Sequence, residues 1–198
     1  PDTYKIETPL ELNAQTSRET ARMLVRLLAD QFFRELDKVD PSWKGLTRKQ
    51  LHEKVTLASI VEREYRVPEE APMIAAVFNN RLTQNMRLES CATVVYAIVN
   101  TPSGAPFKDD YLRFNRRIFE RYLDIPSDFN TYRHYGLPPG PICSPGQTAL
   151  SAAFFPADTD ALFFVVKNPQ KGTHVFSRYY ADHLNAREAY LNQFVVKE

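Results

Sequence analysis

Apolar residues recur at three- and four-residue spacing from residue 16 to 39, where Met23, Leu24, Leu27, Leu28 and Phe32 share one side of a helical projection. The spacing predicts an amphipathic helix over 16–39. Pro41-Ser42-Trp43-Lys44-Gly45 breaks the pattern, and Thr47 followed three residues later by Gln50 forms the capping box of a second helix. Along that helix Leu51, Val55, Ala58, Glu62 and Tyr65 step by four, three, four and three, so they lie on one face. A third helical pattern follows Pro68. Pro72 suits its first turn, Ile74, Val77, Phe78 and Leu82 form its apolar side, and Asn79, Asn80 and Arg81 lie on the same helix.

Residues 91–99 fit either period, since Val94, Val95, Ile98 and Val99 favour strands while their spacing also suits a helix; the reading adopted is helix. Residues 101–106 read as a turn-rich loop and 109–123 as a charged helix. Gly136-Leu137-Pro138-Pro139-Gly140-Pro141 fixes or frees so many backbone angles that only a stiff loop is compatible with it. Two β-rich runs, 162–166 and 173–177, flank a loop containing Asn168-Pro169 and Lys171-Gly172 and predict a hairpin, after which a helix over 181–194 closes the chain. The expected class is α+β: one mainly helical domain over 1–198 with a small antiparallel sheet that includes the C-terminal hairpin.

The length, 198 residues, suits one domain. Apolar content of 43% beside 25% charged residues excludes a disordered chain, and no run reaches the roughly 18–20 apolar residues of a membrane helix. With 25 Lys and Arg against 24 Asp and Glu, and no long basic run, nucleic acid is a poor partner. Cys91 and Cys143 permit one bridge at most and lack zinc-site spacing. His52, His134, His174 and His183 show no metal-ligand spacing either, so neither metal nor cofactor is expected. The chain starts at Pro1 without an initiator Met, which suggests a processed protein or a fragment.

Glu62 is the one carboxylate on the apolar face of the second helix; Glu64 points elsewhere, beside Leu57 and Ile60. Shielding from water raises a carboxyl group toward the range of a general acid. Periodicity alone favours a plain ion pair over a catalytic role, with Arg81 as the obvious partner.

Specific motifs bear on that choice. Leu57-Ala58-Ser59-Ile60-Val61-Glu62-Arg63-Glu64 resembles the LASIVEKE segment of the MltG-type, or YceG-like, endolytic lytic transglycosylases. Residues 77–82 resemble that family's VFxNRL, residues 86–96 its MPLQSDPTVIY, and Asn130-Thr131-Tyr132 its NTY. Residues 136–146 are similar to GLPPGPI-x-NPG, residues 172–176 to GGHxF, and Pro1-Asp2-Thr3-Tyr4 to PDTY. The likeness runs through nearly the whole chain in the same order. Glu89 stands where the family often has Gln, Cys91-Ala92 where many members have Asp-Pro, and Phe129 where Tyr usually precedes Asn-Thr-Tyr; residues 102–127 form a longer stretch than in many members.

The resemblance implies cleavage of the β-1,4 bond between N-acetylmuramic acid and N-acetylglucosamine without water, leaving 1,6-anhydro ends, and it assigns the acid/base role to the first glutamate of the segment, Glu62. Asn80, Ser90, Thr93, Tyr96, Asn130, Tyr132 and His174 are the residues expected to bind the glycan. A disulfide between Cys91 and Cys143, both inside family motifs, is entertained. Glu89 or Asp128 would supply the second carboxylate of an alternative, hydrolytic mechanism. Another alternative is a non-catalytic glycan-binding or scaffolding module. Peptidoglycan strands are the implied substrate and penicillin-binding-type synthases the implied partners. The implied location is the outer face of the cell membrane, held by an N-terminal helix that, like most of a LysM-like region, this chain lacks.

Overall fold

The computed structural model describes residue 4, residues 13–113 and residues 120–195. Among these are seven α-helices and one two-stranded sheet, in agreement with the α+β expectation. The predicted PDTY match at the start of the chain lies mostly outside the described residues.

Helix α1, Ala14–Val39, opens with an Asn13–Thr16 capping box, and its C-terminal half packs on the body of the protein through Leu36, fully buried. Helix α2, Arg48–Glu64, starts at the predicted Thr47–Gln50 box. Its middle, Thr56 to Val61, is buried on every side, because α3, α4 and α6 converge there with the segment after the Pro-rich loop. A 3-10 turn, Pro68–Glu70, leads into α3, Ala71–Thr83, with Pro72 in its first turn as predicted.

Helix α4, Cys91–Asn100, resolves the ambiguous apolar run as helix. Helix α5 runs Ala105–Arg113. It therefore begins earlier than the predicted 109, since Pro106 in a first turn lacks only an N–H that the helix would not use, and the predicted loop 101–106 is mostly a 3-10 turn, Pro102–Gly104, joined to it. Residues 114–119 of the predicted helix 109–123 lie outside the described residues, and beyond them stands a 3-10 turn, Glu120–Tyr122. Helix α6, Gln147–Phe154, was not predicted at all. Strands β1, Phe163–Asn168, and β2, Thr173–Ser177, pair antiparallel in the register Val165 opposite Val175, and α7, Tyr180–Val195, closes the chain against them.

Two apolar clusters result. The larger gathers Leu57, Ile60, Val61, Ile74, Phe78, Leu88 and Leu150 from α2, α3, α6 and the strand-like segment before α4. The smaller joins Val94 and Ile98 of α4 to Tyr111, Tyr122 and Ile125. Each fully buried large side chain contributes about 1.5–3 kcal/mol of transfer free energy. Phe164 of β1 meets Phe78 edge-on at 5.7 Å, which ties the hairpin to the larger cluster.

Candidate active site

One side of α2 holds the Pro-rich segment by its backbone. His52 Nε2 lies 2.9 Å from the Pro139 carbonyl, the Ile142 N–H donates to Ser59 Oγ at 2.9 Å, and the Gly146 N–H donates to Glu62 Oε2 at 3.0 Å. Residues 52, 59 and 62 share one face of the helix, so these contacts form a ladder along residues 139–146. Glu62 is its last rung. Gly146 caps α6, so the Glu62 carboxylate also meets the positive end of that helix, and Tyr65 offers it a longer hydroxyl contact of 3.4 Å.

Glu64 lies two residues on and faces another way. Its Oε1 accepts the Ser90 hydroxyl at 2.5 Å, and the Ala92 N–H at the start of α4 also donates to it. Burial pushes this carboxyl up from its ordinary value; Ser90, the charge of His174, the Ala92 amide and Arg63 each oppose that shift without cancelling it. Glu64 lines a cavity of about 280 Å³ together with Arg81, Glu89, Ser90, Cys91, Tyr132, Phe163 and His183. Glu62 does not line it. A larger recess of about 640 Å³ lies beneath the Pro-rich loop, at the N-terminal end of α2, and neither carboxylate reaches it.

The floor opposite Glu64 is built by Arg81. Its guanidinium is buried and donates to the carbonyls of Leu162, Arg87 and Leu88 and to Glu89 Oε2 at 3.1 Å, and it lies 5.1 Å from the centre of the Phe163 ring. Arg81 does not pair with Glu62, so the plain ion pair is not formed. Glu89 takes φ +52°, a left-handed conformation that costs a residue with a Cβ about 1–2 kcal/mol. Its N–H donates to the Thr131 carbonyl, and its carboxylate accepts from Arg81 Nη1 in an ion pair, so a second carboxylate lines the cavity. Burial is the first cause that raises the Tyr132 hydroxyl, followed by Cys91, Glu64 and Glu89; it stays a donor. Burial, with Arg81 and Arg187, lowers His183, leaving a neutral ring on the cavity wall.

Of the expected glycan-binding residues, Ser90 and Tyr132 line this cavity. The others serve the frame. Asn80 donates to the Thr159 and Ala161 carbonyls, Thr93 is fully buried and bonds the Ser90 carbonyl and Thr131, and Asn130 is fully buried and donates to the Leu123 and Ile125 carbonyls. Tyr96 packs against Phe129 with ring centres 4.6 Å apart. The His174 ring is turned into Glu70, with Nδ1 2.7 Å from Oε2. Sequence reasoning passed over Glu64, Arg81 and His183 as members of one site; Glu64 and Ser90 stand 26 residues apart, so no local spacing marked them. The disulfide is not formed: both cysteines are free, with Cys91 Sγ 3.2 Å from Tyr132 Oη and Cys143 Sγ donating to the Ser59 carbonyl. Asp128 is not among the residues lining the cavity.

A desolvated carboxyl group held beside hydroxyl and amide donors at the wall of a cavity is the equipment of an acid–base enzyme. The model of the YceG-like family matches residues 1–189, and the chain belongs to that family. An endolytic murein transglycosylase of Bacillus subtilis (strain 168) is 35% identical over 142 residues, covering 72% of this chain and 35% of that protein. One from Streptococcus pneumoniae serotype 2 (strain D39 / NCTC 7466) is 31% identical over 144 residues, covering 71% of this chain and 25% of that protein. The crystal structure of a YceG-like protein from Listeria monocytogenes superposes with a TM-score of 0.64 at 27% identity, over 93% of this chain and 52% of that one. The chain thus spans about a third or less of the length of these two transglycosylases.

Proposed function

We propose that this domain cleaves peptidoglycan glycan strands internally as a lytic transglycosylase, with Glu64 rather than Glu62 as its acid and base. The observation that carries the reading is the Glu64 carboxyl, raised by burial and held by Ser90 and the Ala92 amide on the wall of the cavity. Protonated Glu64 donates to the glycosidic oxygen as the bond to C1 of the muramoyl residue breaks. Its carboxylate then takes the proton from the C6 hydroxyl as that oxygen bonds to C1, so Glu64 ends protonated and no water is consumed. The fixed Ser90 hydroxyl and Ala92 amide stabilise the carboxylate between these steps, and Tyr132 donates to the sugar.

Glu89 supports one rival. It brings a second carboxylate to the same cavity, and a hydrolase uses two carboxyl groups roughly 5–9.5 Å apart. Its ion pair with Arg81 argues for a fixed acceptor of sugar hydroxyls instead. Digestion of purified glycan strands separates the readings: products one water lighter than hydrolytic fragments support the transglycosylase, and hydrated ends support the hydrolase. A binding module cuts nothing. The family relationship also supports attachment to the outer face of the cell membrane through an upstream helix, and a working association with penicillin-binding-type synthases. No described helix is long and apolar enough to cross a membrane.

A further inference from the structure

The Glu64 cavity is too small for a polymer. Its volume of about 280 Å³ lies just under the roughly 300–1,000 Å³ of pockets that enclose a drug-sized ligand, so a strand cut internally must continue outside it. The recess of about 640 Å³ beneath the Pro-rich loop is the larger space. Phe78 and Arg81 of α3 line the cavity, while Asn79 and Leu82, the residues next to them, line the recess. The two spaces therefore lie on adjoining faces of one helix.

The loop after α4 joins them on the outside. Tyr132 lines the cavity, Gly136 to Pro139 line the recess, and Tyr135 stands between them in the chain, 58% exposed. One face of its ring is covered by Arg87, whose guanidinium carbon lies 4.9 Å from the ring centre. Both residues are held from behind. Asn130 braces the loop by accepting the N–H groups of Tyr132, Arg133 and His134, and Gly136 turns the chain at φ +82°. Arg87 sits between two residues of left-handed backbone, Asn85 and Glu89, both at φ +52°, and its carbonyl accepts from the buried Arg81. Such strain persists only where the surroundings hold it. The ring is thus set in place before anything binds, which lowers the ordering cost of a ligand laid on it.

The charged groups of the recess are already engaged. Lys54 donates to the Ala153 carbonyl, His52 meets the Pro139 carbonyl, and Lys49 pairs with Glu53 at 3.9 Å. Two polar groups of its lining lack partners among the described residues: the Asn79 side-chain amide and the hydroxyl of the buried Thr56. Beside them stand Leu82, Leu137 and Pro138. Apolar surface with a free amide suits a neutral sugar better than an ion.

We propose that Tyr135, backed by Arg87, is a sugar-stacking platform that carries the glycan strand from the Glu64 cavity into the recess, where the Asn79 amide meets the hydroxyl or acetamido groups of a further sugar. The C–H face of a sugar ring lies on the face of Tyr135 that Arg87 leaves open. This rests on the reading of the substrate as a glycan strand, and not on which glutamate is the acid.

The test is titration calorimetry with peptide-free disaccharide and octasaccharide fragments of glycan strands. It is run in a Glu62→Gln/Glu64→Gln background, which leaves the ligand uncut whichever of the two is the acid. The octasaccharide binds more tightly than the disaccharide. Tyr135→Ala raises the octasaccharide Kd about tenfold and leaves the disaccharide Kd within about twofold, since only the longer ligand reaches the platform. Tyr135→Phe keeps the ring and changes neither, and Asn79→Ala weakens the octasaccharide alone. An octasaccharide Kd unmoved by Tyr135→Ala overturns the proposal. Equal weakening of both ligands overturns it too, because it marks a disturbed cavity rather than a lost subsite. Binding of neither fragment by the background protein overturns the glycan reading itself, and the platform with it.

Discussion

Replacing Glu62 separates an anchoring carboxylate from a catalytic one. Its Oε2 is the acceptor for the Gly146 N–H at 3.0 Å, its only short hydrogen bond among the described residues, and Tyr65 adds a weak one at 3.4 Å. Glu62→Ala deletes an acceptor that carries charge, a hydrogen bond worth about 1.5–3 kcal/mol. At roughly 2–4 °C per kcal/mol for a chain of this size, Tm falls by about 4–8 °C for a loss near 2 kcal/mol. Glu62→Gln keeps an oxygen facing Gly146 and loses only the charge at the start of α6, about 0.3–1 kcal/mol, so its Tm falls by no more than roughly 4 °C. Because Glu62 lines no part of the Glu64 cavity, Glu62→Gln cleaves glycan within about tenfold of wild type, whereas loss of a general acid costs roughly 100- to 10,000-fold. Differential scanning calorimetry and strand digestion on the same preparations give both numbers. A folded Glu62→Gln with wild-type Tm and no cleavage would refute the reasoning and return the acid role to Glu62.

Gly104→Ala drives a Cβ to within 2.0 Å of the Ala97 carbonyl oxygen and 2.4 Å of Ile98 Cα; backbone atoms of a buried helix cannot yield cheaply, so the cost is at least about 3 kcal/mol, visible as a Tm lower by roughly 6 °C or more. An unchanged Tm would mean that α4 and the turn before α5 are not packed as described. The raised Glu64 carboxyl also links stability to pH. Its contribution is complete below the unfolded value near 4.5 and is lost as pH rises through the higher folded value, so urea midpoints of Glu64→Gln gain on wild type across that window; parallel curves would contradict the burial of Glu64. Thiol titration finds two free thiols, and reduction leaves the mass unchanged. Both react slowly near neutral pH, because burial raises Cys91 and pushes Cys143 up to about 11; fewer than two thiols after denaturation would restore the disulfide.

The elements with long periods or explicit punctuation were legible. The Thr47–Gln50 box, the break at Pro41 to Gly45 and the alternation in the hairpin each mark a local backbone requirement. Helix α6 was not legible: its eight residues are mostly small, its cap is Gly146 with no side-chain oxygen, and it is helical because α2 and α3 bury Ala149, Leu150, Ala152 and Ala153. The choice between the two glutamates was not legible for a related reason. A stripe argument assumes one buried face, but α2 is enclosed from Thr56 to Val61, so both the Glu62 and Glu64 sides point into protein and periodicity cannot rank them. What ranks them is what stands opposite: the start of α6 for Glu62, and the start of α4 beside the cavity for Glu64. Asn80, Thr93 and Asn130 were chosen for their chemistry, and that chemistry is used on carbonyls and hydroxyls of neighbouring loops instead.

The most direct test of the central assignment is mass analysis of purified glycan strands incubated with wild type, Glu62→Gln and Glu64→Gln, each first checked for native fold by calorimetry. The account predicts internal fragments with anhydro ends from wild type and Glu62→Gln and intact strands with Glu64→Gln. Anhydro fragments released by Glu64→Gln but not by Glu62→Gln would contradict it.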